Sequence, residues 1–201
     1  RQTLCIGAFG PEEDFFTVKG ALEGLAEGFD LTFTYQRETT SWLHPGISAA
    51  VYCNGKRLGV FGKLANDVTA ELKLPKDSRA NLNIYLGEID WVAFHALVPA
   101  AIHYQPIPEF APVQRDLALV APESMECGTL VTEMQRACKQ LTKVELFDIY
   151  RGEKLGADKK SMAFSLSFQP ADKPLTPDEI DRFVKKILGN LKFKLGIEIR
   201  E

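Results

Sequence analysis

Hydrophobic and polar positions follow two rhythms along this chain. Leu4–Phe9 reads as a strand, and Leu31–Tyr35 alternates with a period of two, which predicts a strand with one buried face. Between them Phe15, Val18, Leu22 and Leu25 recur at helical spacing. Asp14 is suited to cap that helix, and Gly28 is placed to end it. Ile47–Cys53 and Lys56–Leu64 flank Asn54-Gly55, the pair favoured in two-residue type I′ hairpins. A short helix at Val68–Leu72, a strand at Asn81–Asp90 and a short helix at Trp91–Leu97 complete the first half.

The second half gives a sharper order. Arg115–Val120 predicts a strand, and Leu130, Met134, Ala137, Cys138 and Leu141 fall on one helical stripe. Val144–Tyr150 and Lys159–Gln169 predict two more strands. Thr176 and Glu179 form a capping box around Pro177, and Ile180, Phe183, Ile187, Leu188 and Leu191 make the stripe of the helix that follows. Acids gather at its start (Asp178, Glu179, Asp181) and lysines at its end (Lys185, Lys186, Lys192, Lys194), which suits the helix dipole. Leu195–Ile199 predicts a closing strand. The fold class is α+β: a mixed antiparallel sheet with helices, then a β-α-β-β-α-β ferredoxin-like unit. Pro99, Pro106, Pro108 and Pro112 mark an extended connector. The boundary is expected near Ile102, giving domains 1–102 and 103–201.

In a ferredoxin-like unit both helices cover one sheet face. Strand alternation then sorts the side chains. Met162, Phe164, Leu166 and Phe168 share one side, so Ser161, Ala163, Ser165 and Ser167 line the other. Leu117 and Leu119 point inward, Asp116 and Ala118 outward. Leu195, Ile197 and Ile199 point inward, Gly196, Glu198 and Arg200 outward. Phe147 and Ile149 point inward and Asp148 and Tyr150 outward, but the same alternation also sends Val144 and Leu146 outward. The open face therefore offers an aromatic (Tyr150), an acceptor (Asp148), a hydroxyl (Ser161) and the small Ala118 and Ala163. Small residues beside one aromatic leave room for a flat ring to stack. A carboxylate accepts from the N1–H and N2–H₂ edge of guanine. Arg151, Lys154, Lys159 and Lys160 outnumber Glu153 and Asp158 in the adjoining loop, which suits phosphate, and Arg115 is a further candidate phosphate contact. The plainer alternative is a solvated strand face carrying a β-favouring tyrosine.

Composition narrows the function classes. The 24 basic and 27 acidic side chains leave a formal charge of −3, carried by the first half, so charge-driven nucleic-acid wrapping is excluded. Recognition of RNA by stacking and shape is not. No apolar run approaches the roughly 18 residues of a membrane span. Arg1–Leu4 leads straight into a strand pattern, so no secretory leader is expected, and the start on Arg rather than Met is that of a fragment. Cys5, Cys53, Cys127 and Cys138 lack zinc spacing; either a disulfide framework or reduced thiols fits an even count, and reduced thiols suit a chain of this size without a leader. His44, His95 and His103 have no Ser or Cys partner in the sequence order of a catalytic triad. Trp42 and Trp91 are expected to pack within or between domains.

Several motifs then become recognisable. Asp14-Phe15-Phe16-x-x-Lys19-Gly20, Leu43-His44-Pro45-Gly46-x-x-Ala49 and Leu58-Gly59-x-x-Gly62-Lys63-Leu64 stand in the first half. Pro112-x-x-Arg115-Asp116-Leu117-Ala118, Leu146-Phe147-Asp148-x-Tyr150-x-Gly152, Lys160-Ser161-x-Ala163-Phe164 and Leu175-Thr176-x-x-Glu179-Ile180 stand in the second. In this order they resemble the C-terminal part of the bacterial phenylalanine–tRNA ligase beta subunit, over essentially the whole chain. The resemblance implies that residues 103–201 are a ferredoxin-fold anticodon-binding domain for the phenylalanine tRNA stem-loop. It implies that an aromatic at Tyr150 stacks on the first anticodon base, with Asp148 and Ser161 as polar contacts and Ala118 lining the pocket. It implies that residues 1–102 are the later part of a catalytic-like module, related to class II synthetase cores, that performs no chemistry. The alpha subunit of an α₂β₂ heterotetramer would hold the active site and use ATP and magnesium, in the cytoplasm, without membrane or DNA partners. The residues agree with an inactive first half: Arg37-Glu38 is the lone hint of a phosphate-holding element, and neither a P-loop nor G-x-G-x-x-G is present. No cofactor or metal is expected in this chain. An amino-acid-sensing ferredoxin-like module is the alternative from another class.

Overall fold

The computed structural model describes residues 2–72, 83–101, 107–152, 155–156, 158–170 and 173–199. They fall into two compact units, Arg1–Tyr104 and Gln105–Glu201. The expected boundary at Ile102 lies outside the described residues, as do His103, Pro106, Glu153, Lys154 and Arg200.

In the first unit β1 (Thr3–Gly10), β2 (Phe33–Arg37), β3 (Leu43–Cys53), β4 (Lys56–Leu64) and β5 (Asn83–Asp90) form one antiparallel sheet in the order β1-β5-β4-β3-β2. Helices α1 (Phe15–Glu27), α2 (Asn66–Glu71) and α3 (Trp91–His95) connect them. Asp14 caps α1 as predicted: its Oδ1 accepts from the Thr17 amide at 2.9 Å. Asn54 and Gly55 take φ of 49° and 76°, the paired positive values that a type I′ turn demands. Val18, Leu22 and Ala26 of α1 pack with Val51, Phe61 and Ile89 of the sheet. Trp91 stacks on Phe94 at 5.3 Å inside this unit. The strand starting at Ile47 begins earlier, at Leu43, and its pairing with β4 is irregular between Leu43 and Ser48, across Pro45, which has no amide hydrogen to donate.

In the second unit β6 (Val113–Pro122), α4 (Cys127–Ala137), β7 (Leu141–Tyr150), β8 (Lys159–Phe168), α5 (Pro177–Leu195) and β9 (Glu198–Ile199) follow the predicted β-α-β-β-α-β order. Their sheet order, β7-β8-β6-β9 with every pair antiparallel, is that of a ferredoxin-like fold. The helices cover one face: Leu130 and Met134 of α4 and Ile187 and Leu191 of α5 share a core with Leu119 and Phe164. Thr176 and Glu179 form the capping box, with the Thr176 amide donating to Glu179 Oε2 at 2.9 Å and the Glu179 amide to Thr176 Oγ1 at 3.3 Å. Glu133 of α4, itself buried, ties the two helices together: it accepts from Lys194 Nζ at 2.6 Å and from Asn190 Nδ2 at 3.2 Å, both on α5, and from Arg136 at 2.9 Å.

Three expectations are corrected. The closing strand does not start at Leu195, which ends α5; Gly196 then takes a left-handed φ of 65° and caps the helix, so it is not a strand residue, and two residues remain for β9. Ile199 pairs with Leu119, yet at this sheet edge it stays half exposed. Cys138 and Leu141 leave the helical stripe, because α4 ends at Ala137 and Leu141 opens β7. Cys53 and Cys138 are buried thiols, and none of the four cysteines is in a disulfide.

Candidate nucleic-acid interface

The uncovered face of the second sheet can be read row by row, since directly opposed residues on antiparallel neighbours share a face. Ser161 of β8 pairs with Tyr150 of β7 on one side and with Val120 of β6 on the other. One step along, Ala163 pairs with Asp148 and with Ala118. The next row joins Glu145, Ser165 and Asp116. Tyr150, Asp148, Ser161 and Ala118 thus occupy two adjacent rows of the helix-free face. The Tyr150 side is 40% exposed, and Asp148 is exposed, whereas Ser161 is only 2% exposed between its larger neighbours.

One extra residue creates this arrangement. Leu146 pairs with Phe164, but the next pair is Asp148 with Ala163, so Phe147 has no opposite number and forms a β-bulge. Before the bulge Val144 and Leu146 lie opposite Leu166 and Phe164, on the helix side, where both pack against the core. Simple alternation from Leu146 would have sent Asp148 and Tyr150 to that same side. The surplus residue resets the pleat and turns them to the open face. Val144 and Leu146 therefore point inward, not outward, and Phe147 is 59% exposed instead of buried. Sequence reasoning also missed Val120, which shares the parity of Ala118 and completes the Tyr150 row.

The expected cations separate. Arg115 pairs with Leu166, so it projects toward the helix side, away from Ala118 and Asp116. Arg115 and Asp116 lie on opposite faces of β6. Lys160 pairs with Ala121, also on the helix side, and its Nζ donates to the Glu123 carbonyl oxygen at 2.8 Å. Arg151 is held by the Glu123 carboxylate, donating from Nε at 3.1 Å and from Nη2 at 2.8 Å. Hydrogen bonding from Arg151 in turn holds Glu123 below the usual carboxylate range. Lys159 alternates with Ser161 onto the open face and is exposed. Arg151, Lys159 and Lys160 nonetheless all lie where β6, β7 and β8 reach the same end of the sheet. The face itself carries Asp116, Glu145, Asp148 and Glu198, with Lys143 on Glu145 at 2.7 Å. It is suited to the donor edge of a base, and the phosphate-compatible charge sits at its end.

In the first unit the polar residues singled out from the sequence are engaged locally. Glu38 is engaged by Arg57, whose Nε donates to its Oε2 at 2.9 Å and whose Nη2 reaches Oε1. The His44 Nδ1 accepts from the Gly46 amide at 3.1 Å, a local bond within the irregular start of β3. Among the described residues no group of three or more His, Cys, Asp or Glu could hold a metal ion, and no helix is long and apolar enough to cross a membrane.

Two family models match the chain. Residues 108–200 match the ferredoxin-fold anticodon binding domain, and residues 1–91 match the phenylalanyl tRNA synthetase beta chain CLM domain. The chain is 35% identical over 190 residues to the phenylalanine–tRNA ligase beta subunit of Geobacillus kaustophilus, and 33% and 32% identical over 190 residues to those of Streptococcus mutans and Carboxydothermus hydrogenoformans. Each alignment covers 93% of this chain and 23% of the relative, so the chain spans about a quarter of the length of the relatives it matches.

Proposed function

The chain belongs to the family of the phenylalanine–tRNA ligase beta subunit, and on that premise we propose that its second unit recognises the anticodon stem-loop of the phenylalanine tRNA. A base stacks on Tyr150. Asp148 accepts hydrogen bonds from the donor edge of that base, Ser161 adds a hydroxyl, and Ala118 and Ala163 leave room for its plane. Lys159, with Arg151 and Lys160 beside it at the sheet end, meets the backbone phosphates. The observation that supports this most directly is the bulge at Phe147, which places the aromatic and the carboxylate in adjacent rows of an uncovered face.

In the same reading the first unit does no chemistry. It serves as a surface for the alpha subunit and the remaining beta-subunit domains of an α₂β₂ ligase in the cytoplasm. ATP and magnesium act in the alpha subunit. Among the described residues the Arg37-Glu38 segment does not fit a triphosphate, since its carboxylate is already taken by Arg57. The test is the affinity of the 201-residue chain for a phenylalanine anticodon stem-loop, by fluorescence anisotropy at fixed salt. Tyr150→Ala is expected to weaken binding by about 1–3 kcal/mol with unchanged circular dichroism. Unchanged affinity, or a calorimetric response to free amino acids in its place, would favour the sensing module.

A further inference from the structure

Two glycines follow β7 closely, and they are glycines for different reasons. Gly156 has a φ of +86°, where side chains are strained, and open space around it. Gly152 is the reverse case. Its φ lies outside the positive region, so its backbone suits any residue. A Cβ added there would instead meet the Tyr150 ring, at 2.2 Å from Oη, 2.5 Å from Cζ and 2.8 Å from Cε1. These distances are far inside van der Waals contact, so ring and Cβ exclude one another. The hydroxyl end of Tyr150 lies in the space that any side chain at 152 would fill.

We propose that Gly152 is a positioning residue: its bare Cα is the seat that fixes the Tyr150 ring over the open face, ready to accept a base. This rests on the reading of Tyr150 as the stacking platform. A tyrosine without a seat samples several rotamers and must be ordered when RNA binds. A seated ring has already lost that freedom, and preorganisation of this kind strengthens binding without adding a contact. The strand supplies the direction through the bulge, and the glycine two residues on supplies the final placement.

The experiment is a double-mutant cycle in the 201-residue chain, read as anticodon stem-loop affinity and as thermal melting. Gly152→Ala is expected to weaken binding about 2- to 10-fold, the range for one immobilised side chain. Its melting temperature should stay level or rise, because alanine at an allowed φ restricts the unfolded chain. In the Tyr150→Ala background the same change should leave affinity unaltered. Nuclear Overhauser contacts between the Tyr150 ring and the Gly152 α-protons in the RNA-free chain should be strong. Wild-type affinity of Gly152→Ala beside a weakened Tyr150→Ala overturns the seat and leaves stacking intact. Equal loss in both backgrounds also overturns it, by marking a loop effect. If Tyr150→Ala binds normally, the stacking reading is what fails, and the proton contacts alone then decide the seat.

Discussion

Both sheets carry small residues along the centre of the face turned away from the packed core, and only one of them carries the proposed site. In the first unit the row Gln36, Ala50, Val60, Glu88 crosses β2 to β5, and Ala50 and Val60 in its middle are buried. The next row on that face carries a ring, the half-buried Tyr52 between Thr34 and Arg57. In the second unit the rows through Ser161 and Ala163 end in Tyr150 and Asp148, which are exposed. The difference does not come from the small residues, which the two sheets share. It lies in β7, where the unpaired Phe147 leaves an exposed carboxylate and an exposed ring in adjacent rows of one strand. A smooth strand face is a packing surface by default, and a local break in its register can make it a recognition surface.

The comparison breaks most severely at the bulge. Deleting Ile149, not the surplus Phe147, would let β7 pair without a bulge, with Phe147 opposite Ala163 and Asp148 opposite Met162 on the helix side. Stem-loop binding is expected to fall below detection, and urea unfolding of the second unit to lose at least about 2 kcal/mol from the buried carboxylate. Retained binding would show that recognition does not need Asp148 on the open face. A smaller difference should appear in acid. Hydrogen bonds from Lys194, Asn190 and Arg136 push the Glu133 carboxyl down to about 2, and those from Thr176 and Lys173 do the same for Glu179. Both are lowered from an ordinary 4.5, so their stabilising contribution is complete above that pH and is lost as the pH falls toward 2. Both lie in the second unit, which should therefore unfold first. Trp42 and Trp91 both lie in the first unit, so their fluorescence should change at lower pH than the amide signals of α5. Glu133→Gln and Glu179→Gln should flatten that acid limb. The smallest effect concerns the sheet end. Glu123→Gln releases Arg151 from an exposed pair that contributes little to stability. It should leave melting unchanged and steepen the salt dependence of RNA binding by less than about one phosphate contact.

Much of this was legible in the residues because it is local. Asn54-Gly55 fixes a turn by its own backbone preferences, and Thr176-Pro177 with Glu179 starts a helix through bonds within four residues. The identity of the open face followed from β8, where serine and alanine alternate strictly with large apolar residues. The bulge was not legible. Leu146-Phe147 is an apolar doublet, and nothing local decides which of the two stays in register; pairing with Phe164 decides it. Gly196 did carry a signal, a glycine after a lysine-rich helix end, which an expected strand concealed. The engagement of Arg151 by Glu123 joins residues far apart in the chain and has no local signature.

The pinning of α4 to α5 through Glu133 has a practical corollary. The helical layer is fastened to itself as well as to the inner side of β8, so the domain's durability is assured from behind. Exchanging Ala163 or Ser165 at the front leaves that backing untouched and should shift stability by no more than about 0.5 kcal/mol. The domain is a chassis whose front panel can be refitted while its fold stays intact.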